Sequence, residues 1–182
     1  MPGDEAILEA VQRPEWFGWD RLAWAASRVG DPVPALIIGS ACTVVCVIRK
    51  RTDLALVILL ATALRAISPT LKALFESQRP PVDAASIMEH VDAFGYPSGH
   101  AFGAALVYGT VAIVAPWLFP GMLAGRVVRV LAVLMVVLIP LARVRLGVHW
   151  PSDVAGGIAF GFGIDCLLLA GLQCVAWRKV RT

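Results

Sequence analysis

Apolar residues in this chain come in long runs with few charges. They do not alternate as in a half-buried strand, nor recur at the three-and-four spacing of a surface helix. Five runs stand out: Val33 to Ile48, Leu54 to Phe75, Gly99 to Phe119, Val127 to about Ala142, and Val154 to Trp177. Most approach the roughly 20 residues that carry a helix across a bilayer core. The first is short, is entered through Asp31-Pro32, and can borrow from its flanks. A polar loop from Glu76 to Pro97 separates the second run from the third. The other connections are short, so consecutive helices should be antiparallel. The pattern predicts an all-α, polytopic membrane helix bundle with about five transmembrane helices. It reads as one domain over residues 1–182, with the bundle at 33–177.

Residues 4–28 are different. Apolar positions are interspersed with acids and arginines, and Trp16, Trp19 and Trp24 lie close together. Indole rings suit a membrane–water boundary, so one or two interfacial helices are expected, broken near Pro14. A soluble amphipathic helix packed on the bundle is the other reading. Asp4, Glu5, Glu9, Glu15 and Asp20 argue against a cleavable signal peptide.

Composition supports a membrane protein: 58% of residues are apolar and 16% charged, against about 45–50% and about 25% in ordinary soluble domains. The net charge of +3 matters less than where it falls. Arg49, Lys50 and Arg51, then Arg126 and Arg129, then Arg178, Lys179 and Arg181 fall on one side of a five-span chain. That side should be cytoplasmic. The long loop then faces outward, in a bacterial-type plasma membrane with a cytoplasmic C-terminus. Lys72, Arg79, Arg143 and Arg145 fall on the outer side and need another reason to exist. No basic stripe with interleaved aromatics is present, which argues against nucleic acid. Cys42, Cys46, Cys166 and Cys174 form no CxxC pair and read as buried membrane thiols. His90, beside Glu89, reads as a solvated loop residue, and no metal site is apparent.

Three segments converge on the outer face. In the first, Lys72 and Arg79 stand about two helical turns apart, ahead of Pro80. They suit either membrane anchors that snorkel or an anion site. In the second, Ser98 can cap a helix beginning at Gly99-His100, and free N–H groups at such a start favour phosphate. In the third, His149 and Asp153 are four apart across a helix entry at Pro151, so their side chains can meet. A carboxylate on one ring nitrogen leaves the other free as a nucleophile. An Asp that only answers the helix dipole is the bland alternative.

Together these segments resemble the type 2 phosphatidic acid phosphatase superfamily, whose pattern is Lys, six residues, Arg-Pro; then Pro-Ser-Gly-His; then Ser-Arg, five residues, His, three residues, Asp. Lys72, Arg79 and Pro80 fit the first part. Pro97, Ser98, Gly99 and His100 fit the second, and Arg143, His149 and Asp153 the third. Ala142 stands where the family usually has Ser.

The resemblance implies a lipid phosphatase working without cofactor or metal. His149 would be the nucleophile, Asp153 its orienting partner, and His100 the acid and then the base. Lys72, Arg79, Ser98, Gly99 and Arg143 would bind the phosphate. The implied partners are membrane lipids and a lipid phosphate: an undecaprenyl or decaprenyl diphosphate of cell-wall biogenesis, another prenyl phosphate conjugate, phosphatidic acid or phosphatidylglycerol phosphate. Competing readings are a phosphatase or phosphotransferase for soluble esters, and a non-enzymatic transporter or assembly factor. A vanadate haloperoxidase suits so short a membrane chain poorly.

Inside the predicted spans, Arg65 and Asp165 are charged, a default sign of function. Their depths differ, which argues against a direct pair. Bundle packing, or a place near the inner boundary, suits Asp165. Gly99/Gly103 and Gly157/Gly161 have the spacing that lets helices pack closely.

Overall fold

The computed structural model describes residues 3–14, 17–81 and 94–181, with side chains to residue 174. His90 and Trp16 lie outside the described residues. Among these residues there is no strand, and the chain forms seven helical segments. These are α1 (Asp4–Gln12), α2 (Trp19–Val29), α3 (Pro32–Ile48), α4 (Thr52–Phe75), α5 (Gly99–Leu118), α6 (Leu123–Arg145) and α7 (Pro151–Arg181). Helices α4, α5, α6 and the Pro151–Cys174 part of α7 are long and apolar enough to cross a membrane. α2 and α3 make a fifth candidate span, bent by 59° between them. Against about five expected spans the structure has four, or five if the bent pair is one broken span. The expected first span, Val33 to Ile48, is α3, which reaches the needed length only together with α2.

The helices begin and end for local reasons. Pro32 and Pro151 occupy first-turn positions, where a missing N–H costs nothing. Ser98 caps α5, its Oγ accepting from the Ala101 N–H. α6 ends where Gly147 adopts φ 69°, a conformation easily reached only by glycine. α4 tightens into a 3-10 turn at Arg65–Ile67 just ahead of Pro69, which has no N–H to give. α5 widens into a π turn at Ala104–Tyr108. Helix α6 is longer than its apolar run, since Arg126, Arg129 and Arg143 all lie within it. Backbone hydrogen bonding carries a helix through polar flanks as well.

α5 is the centre of the bundle: 83% of its spanning window is buried, against 33%, 33% and 22% for α4, α6 and α7. Phe102 and Leu106 on α5 pack against Ala61 of α4, and Tyr108 and Val111 lie in one cluster with Ala132 and Ile139 of α6. α7 approaches most closely. A Cβ on Gly157 would stand 2.6 Å from the Ser98 carbonyl oxygen, and one on Gly161 2.6 Å from Ala105 Cβ. The outer faces are apolar, as a lipid solvent requires: Ile37, Leu56, Val130 and Leu167 are all exposed. Cys166 and Cys174 are exposed on α7, so only Cys46 is a fully buried thiol among the described residues. In a bilayer the outer surface of a helix is itself apolar, so a cysteine has no need to face inward.

The charges inside the spans have separate partners. Asp165 accepts from Thr110 Oγ1 at 2.7 Å, across the α5–α7 contact. Arg65 donates from Nη2 to the Gly30 carbonyl at 2.6 Å. They do not pair, as their differing depths suggested.

Candidate active site

Five chain ends meet at one end of the bundle. They are the start of α3, the end of α4 with the irregular segment to Arg79, the loop Phe94–Ser98 leading into α5, the end of α6, and the start of α7. Antiparallel helices bring these ends together automatically, because every second connection falls on the same side.

The Phe94–Ser98 loop lies over the start of α7. Its Gly95 N–H donates to the Ser77 carbonyl at 2.7 Å, and the Ser98 N–H to the Asp153 carbonyl at 2.9 Å. Gly95 passes so close that a Cβ there would sit 2.7 Å from Asp153 Oδ2. The Phe94 carbonyl accepts from Lys72 Nζ at 3.1 Å and from Arg79 Nη2 at 3.4 Å. Both cations of the first motif thus reach one oxygen at once, which is what gripping a phosphate oxygen requires.

His149 is the most enclosed member, 1% exposed. Arg79 Nη1 donates to the Val148 carbonyl at 2.5 Å and lies 3.2 Å from His149 Nε2. Arginine has only donors, so Nε2 is the accepting nitrogen. The proton therefore sits on Nδ1, which donates to Asp153 Oδ2 at 3.2 Å. The same carboxylate oxygen accepts the Trp150 N–H at 3.1 Å. Burial first, then the positive charges of Arg79, Arg143 and Lys72, hold the imidazole well below its ordinary value of 6.5. The ring is kept neutral, with its Nε2 lone pair turned toward the cations.

Arg143 is 2% exposed, and its Nη1 donates to Ser27 Oγ on α2 at 2.5 Å. The neighbouring Ala142 packs with Ala23 and Ala26 on the same helix. A serine hydroxyl at 142 would enter that apolar contact, whereas the hydroxyl on Arg143 comes from Ser27. Arg145 points away from the site. It pairs with Asp20 at 2.8 Å and donates to the Val11 and Gln12 carbonyls, tying the N-terminal helices to α6.

His100 has a partner that the sequence did not suggest. Its Nε2 lies 2.9 Å from Asp31 Oδ1, while Asp31 Oδ2 is 3.6 Å from Arg28. Asp31 holds the N-cap place of α3 but makes no cap hydrogen bond. The bend between α2 and α3 is pinned to keep it there. Tyr108 donates to the Val29 carbonyl at 2.8 Å, and Arg65 holds the Gly30 carbonyl. Gly30 itself lies against the imidazole, and a Cβ would come within 3.0 Å of His100 Cδ2. The Asp31-Pro32 step had signalled only a helix entry. An acid at the motif end of the bundle was the clue to a second use.

A cavity of about 620 Å³ opens beside these groups. Lys72, Gly99 and His100 form its polar end, and Pro32, Leu36 and Pro69 belong to its apolar wall between α3 and α4. A phosphate at the cations and an apolar tail between the helices fit one such space.

Residues 50–175 match the PAP2 superfamily. The chain belongs to this family. It is 35% identical over 114 residues to phosphatidylglycerophosphatase B of Bacillus subtilis, across 62% of this chain and 55% of that protein. The chain thus spans little more than half the length of that relative. It is 30% identical over 172 residues to a decaprenylphosphoryl-5-phosphoribose phosphatase of Mycobacterium tuberculosis, across 91% and 89%. A crystal structure of a transmembrane PAP2 type phosphatidylglycerolphosphate phosphatase from Bacillus subtilis has a TM-score of 0.73 at 27% identity, covering 97% of this chain and 86% of that one. With its apolar helices and a transmembrane relative, this PAP2 member is an integral membrane protein. The PAP2 match contains every motif residue. Ser27, Gly30 and Asp31, which touch those residues, precede it.

Proposed function

We propose that this PAP2 protein is a lipid phosphatase that removes a phosphomonoester group in two steps through a phosphohistidine on His149. The observation that carries this reading is the bracketing of the ring, with Nδ1 on Asp153 and Nε2 beside Arg79, each at 3.2 Å. The Nε2 lone pair attacks phosphorus. The N–P bond forms, the P–O bond to the leaving group (the lipid alcohol of a monoester, or the lipid phosphate of a diphosphate) breaks, and His100 gives the departing oxygen a proton. In the second step His100 takes a proton from water, the water oxygen attacks, and the N–P bond breaks to release inorganic phosphate. Positioned acid–base catalysis of this kind contributes roughly 10²–10⁴-fold. Asp31 orients His100 through Nε2 and leaves Nδ1 for the proton transfers.

Lys72, Arg79, Arg143, the Ser98 hydroxyl and the Gly99 N–H hold the non-bridging oxygens, where charge spreads in the transition state. Three fixed cations supply the charge that a divalent ion supplies elsewhere, so turnover should survive EDTA. The lipid class is supported by the two-ended cavity and by the names of the relatives. Candidates are phosphatidylglycerol phosphate, phosphatidic acid, and prenyl phosphate or diphosphate conjugates. The active centre faces the extracytoplasmic side, because Arg49, Lys50 and Arg51 lie at the opposite end of the bundle and favour the cytoplasm.

The reading is tested with purified protein in mixed micelles. Phosphate release from long-chain lipid phosphates is expected to persist in EDTA and to exceed release from short soluble esters. Preference for the soluble esters would overturn the lipid assignment. Release abolished by EDTA would overturn the metal-free mechanism.

A further inference from the structure

Ala142 leaves Arg143 without a hydroxyl on the preceding residue. Its methyl group packs with Ala23 and Ala26 of α2 instead. A hydroxyl reaches Arg143 all the same, from 116 positions earlier in the chain. Ser27 Oγ accepts from Arg143 Nη1 at 2.5 Å. Ser27 is 1% exposed and Arg143 2%, so the contact is shut off from water. A hydrogen bond to a charged group in such a place is strong.

The sequence of α2 explains how Ser27 comes to lie there. Ala23, Ala26 and Ser27 are three and four positions apart, so they share one face of the helix. The two small alanines let α2 settle on α6 at Ala142. Ser27, next on that face, then meets the following residue of α6. The Ser27 carbonyl accepts the Gly30 N–H at 2.9 Å and helps end the helix just before Asp31. One turn of chain thus carries a partner for Arg143 and a partner for His100.

A guanidinium is flat and rigid, so holding one of its nitrogens sets the plane of the other donors. Arg143 stands near enough to His149 for its charge to act on that ring. We infer that Ser27 is a positioning residue for phosphate binding: it fixes the Arg143 guanidinium so that its remaining donors face the phosphate, supplying from α2 a hydroxyl that position 142 lacks. The inference rests on the phosphatase reading. It gives a residue outside the matched stretch 50–175 a share in the reaction.

The probe is orthovanadate, whose five-coordinate adducts resemble a phosphoryl group in transfer. Wild type, Ser27→Ala, Ser27→Cys, Arg143→Lys and the double variant Ser27→Ala/Arg143→Lys are compared in mixed micelles. Lipid phosphate hydrolysis, the vanadate inhibition constant and the thermal midpoint are measured for each. Ser27→Ala should weaken vanadate inhibition and lower kcat/KM, each by about tenfold, the lower end for a hydrogen bond to a charged group. Ser27→Cys keeps the size but accepts weakly, and should fall between Ser27→Ala and the wild type. Arg143→Lys removes the fork that Ser27 holds, so adding Ser27→Ala to it should cost less than about twofold more. If Ser27→Ala does not fold, the vanadate constant of Ser27→Cys decides. Wild-type vanadate inhibition in the Ser27 variants, with only the thermal midpoint lowered, is what a purely structural tie would give. That result overturns the inference and leaves the phosphatase reading intact. A full tenfold loss from Ser27→Ala in the Arg143→Lys background overturns it as well. No phosphate release by the wild type overturns both.

Discussion

At the scale of single residues, the proposed mechanism sets two histidines opposite demands. His149 must stay neutral to attack, and its surroundings enforce that through burial and adjacent cations. The sign of the pH dependence follows. Below about 6.5 an unfolded chain protonates this histidine while the folded one does not, so the unfolded state binds more protons and stability falls as pH drops. The thermal midpoint should decline between pH 7 and pH 5, and decline less steeply in His149→Gln. Equal slopes would show that the ring is not held neutral. In the proposed mechanism His100 gives and takes a proton, and the Asp31 contact would orient it for that task. Asp31→Asn should lower kcat by about 10–100-fold, part of the gain that acid–base catalysis supplies. It should also shift the pH profile of kcat while KM changes little. A KM effect alone would reduce Asp31 to a structural tie.

At the scale of elements, the π turn and the glycine contacts of α5 and α7 bring two site helices together. Gly161→Ala is expected to cost about 1–3 kcal/mol, as overpacking does, since its Cβ would meet Ala105 Cβ at 2.6 Å and the Phe102 carbonyl at 2.9 Å. Gly171→Ala, with nothing within 4 Å, should not destabilise the bundle. Thermal midpoints in detergent check both, and equal stability of the two variants would refute the close contact. The small-residue spacing made this packing legible in the sequence. The spans were legible too, because lipid demands continuous apolar runs. The 3-10 and π turns left no comparable mark, since they follow from how α4 and α5 fit their neighbours.

Across the whole molecule, the N-terminal helices are part of the active end. Asp4, 6% exposed, accepts from the Ser152 N–H at 2.9 Å and its hydroxyl at 2.7 Å. It thus satisfies the start of α7 from another helix. Ser27 reaches Arg143, and Asp31 reaches His100. The motif residues were readable from their order and spacing along the chain, although the two-turn helical placement of Lys72 and Arg79 does not hold: α4 ends at Phe75, where Glu76 turns to φ 47°, and Arg79 stands in the irregular segment that follows. These supporting contacts were not, because they join positions more than sixty residues apart through folding alone. The interfacial reading of residues 4–28 described their composition and left out their contacts with α6 and α7.

The central claim is that His149 carries the phosphoryl group. Brief reaction of the wild type and of His100→Ala with a labelled lipid phosphate, quenched in base and analysed by peptide mass spectrometry, tests it most directly. The account predicts an acid-labile phosphate on His149, accumulating in His100→Ala, and turnover reduced by about 10⁴-fold or more in His149→Ala. Phosphate attached to a different residue, or sustained turnover in His149→Ala, would contradict it.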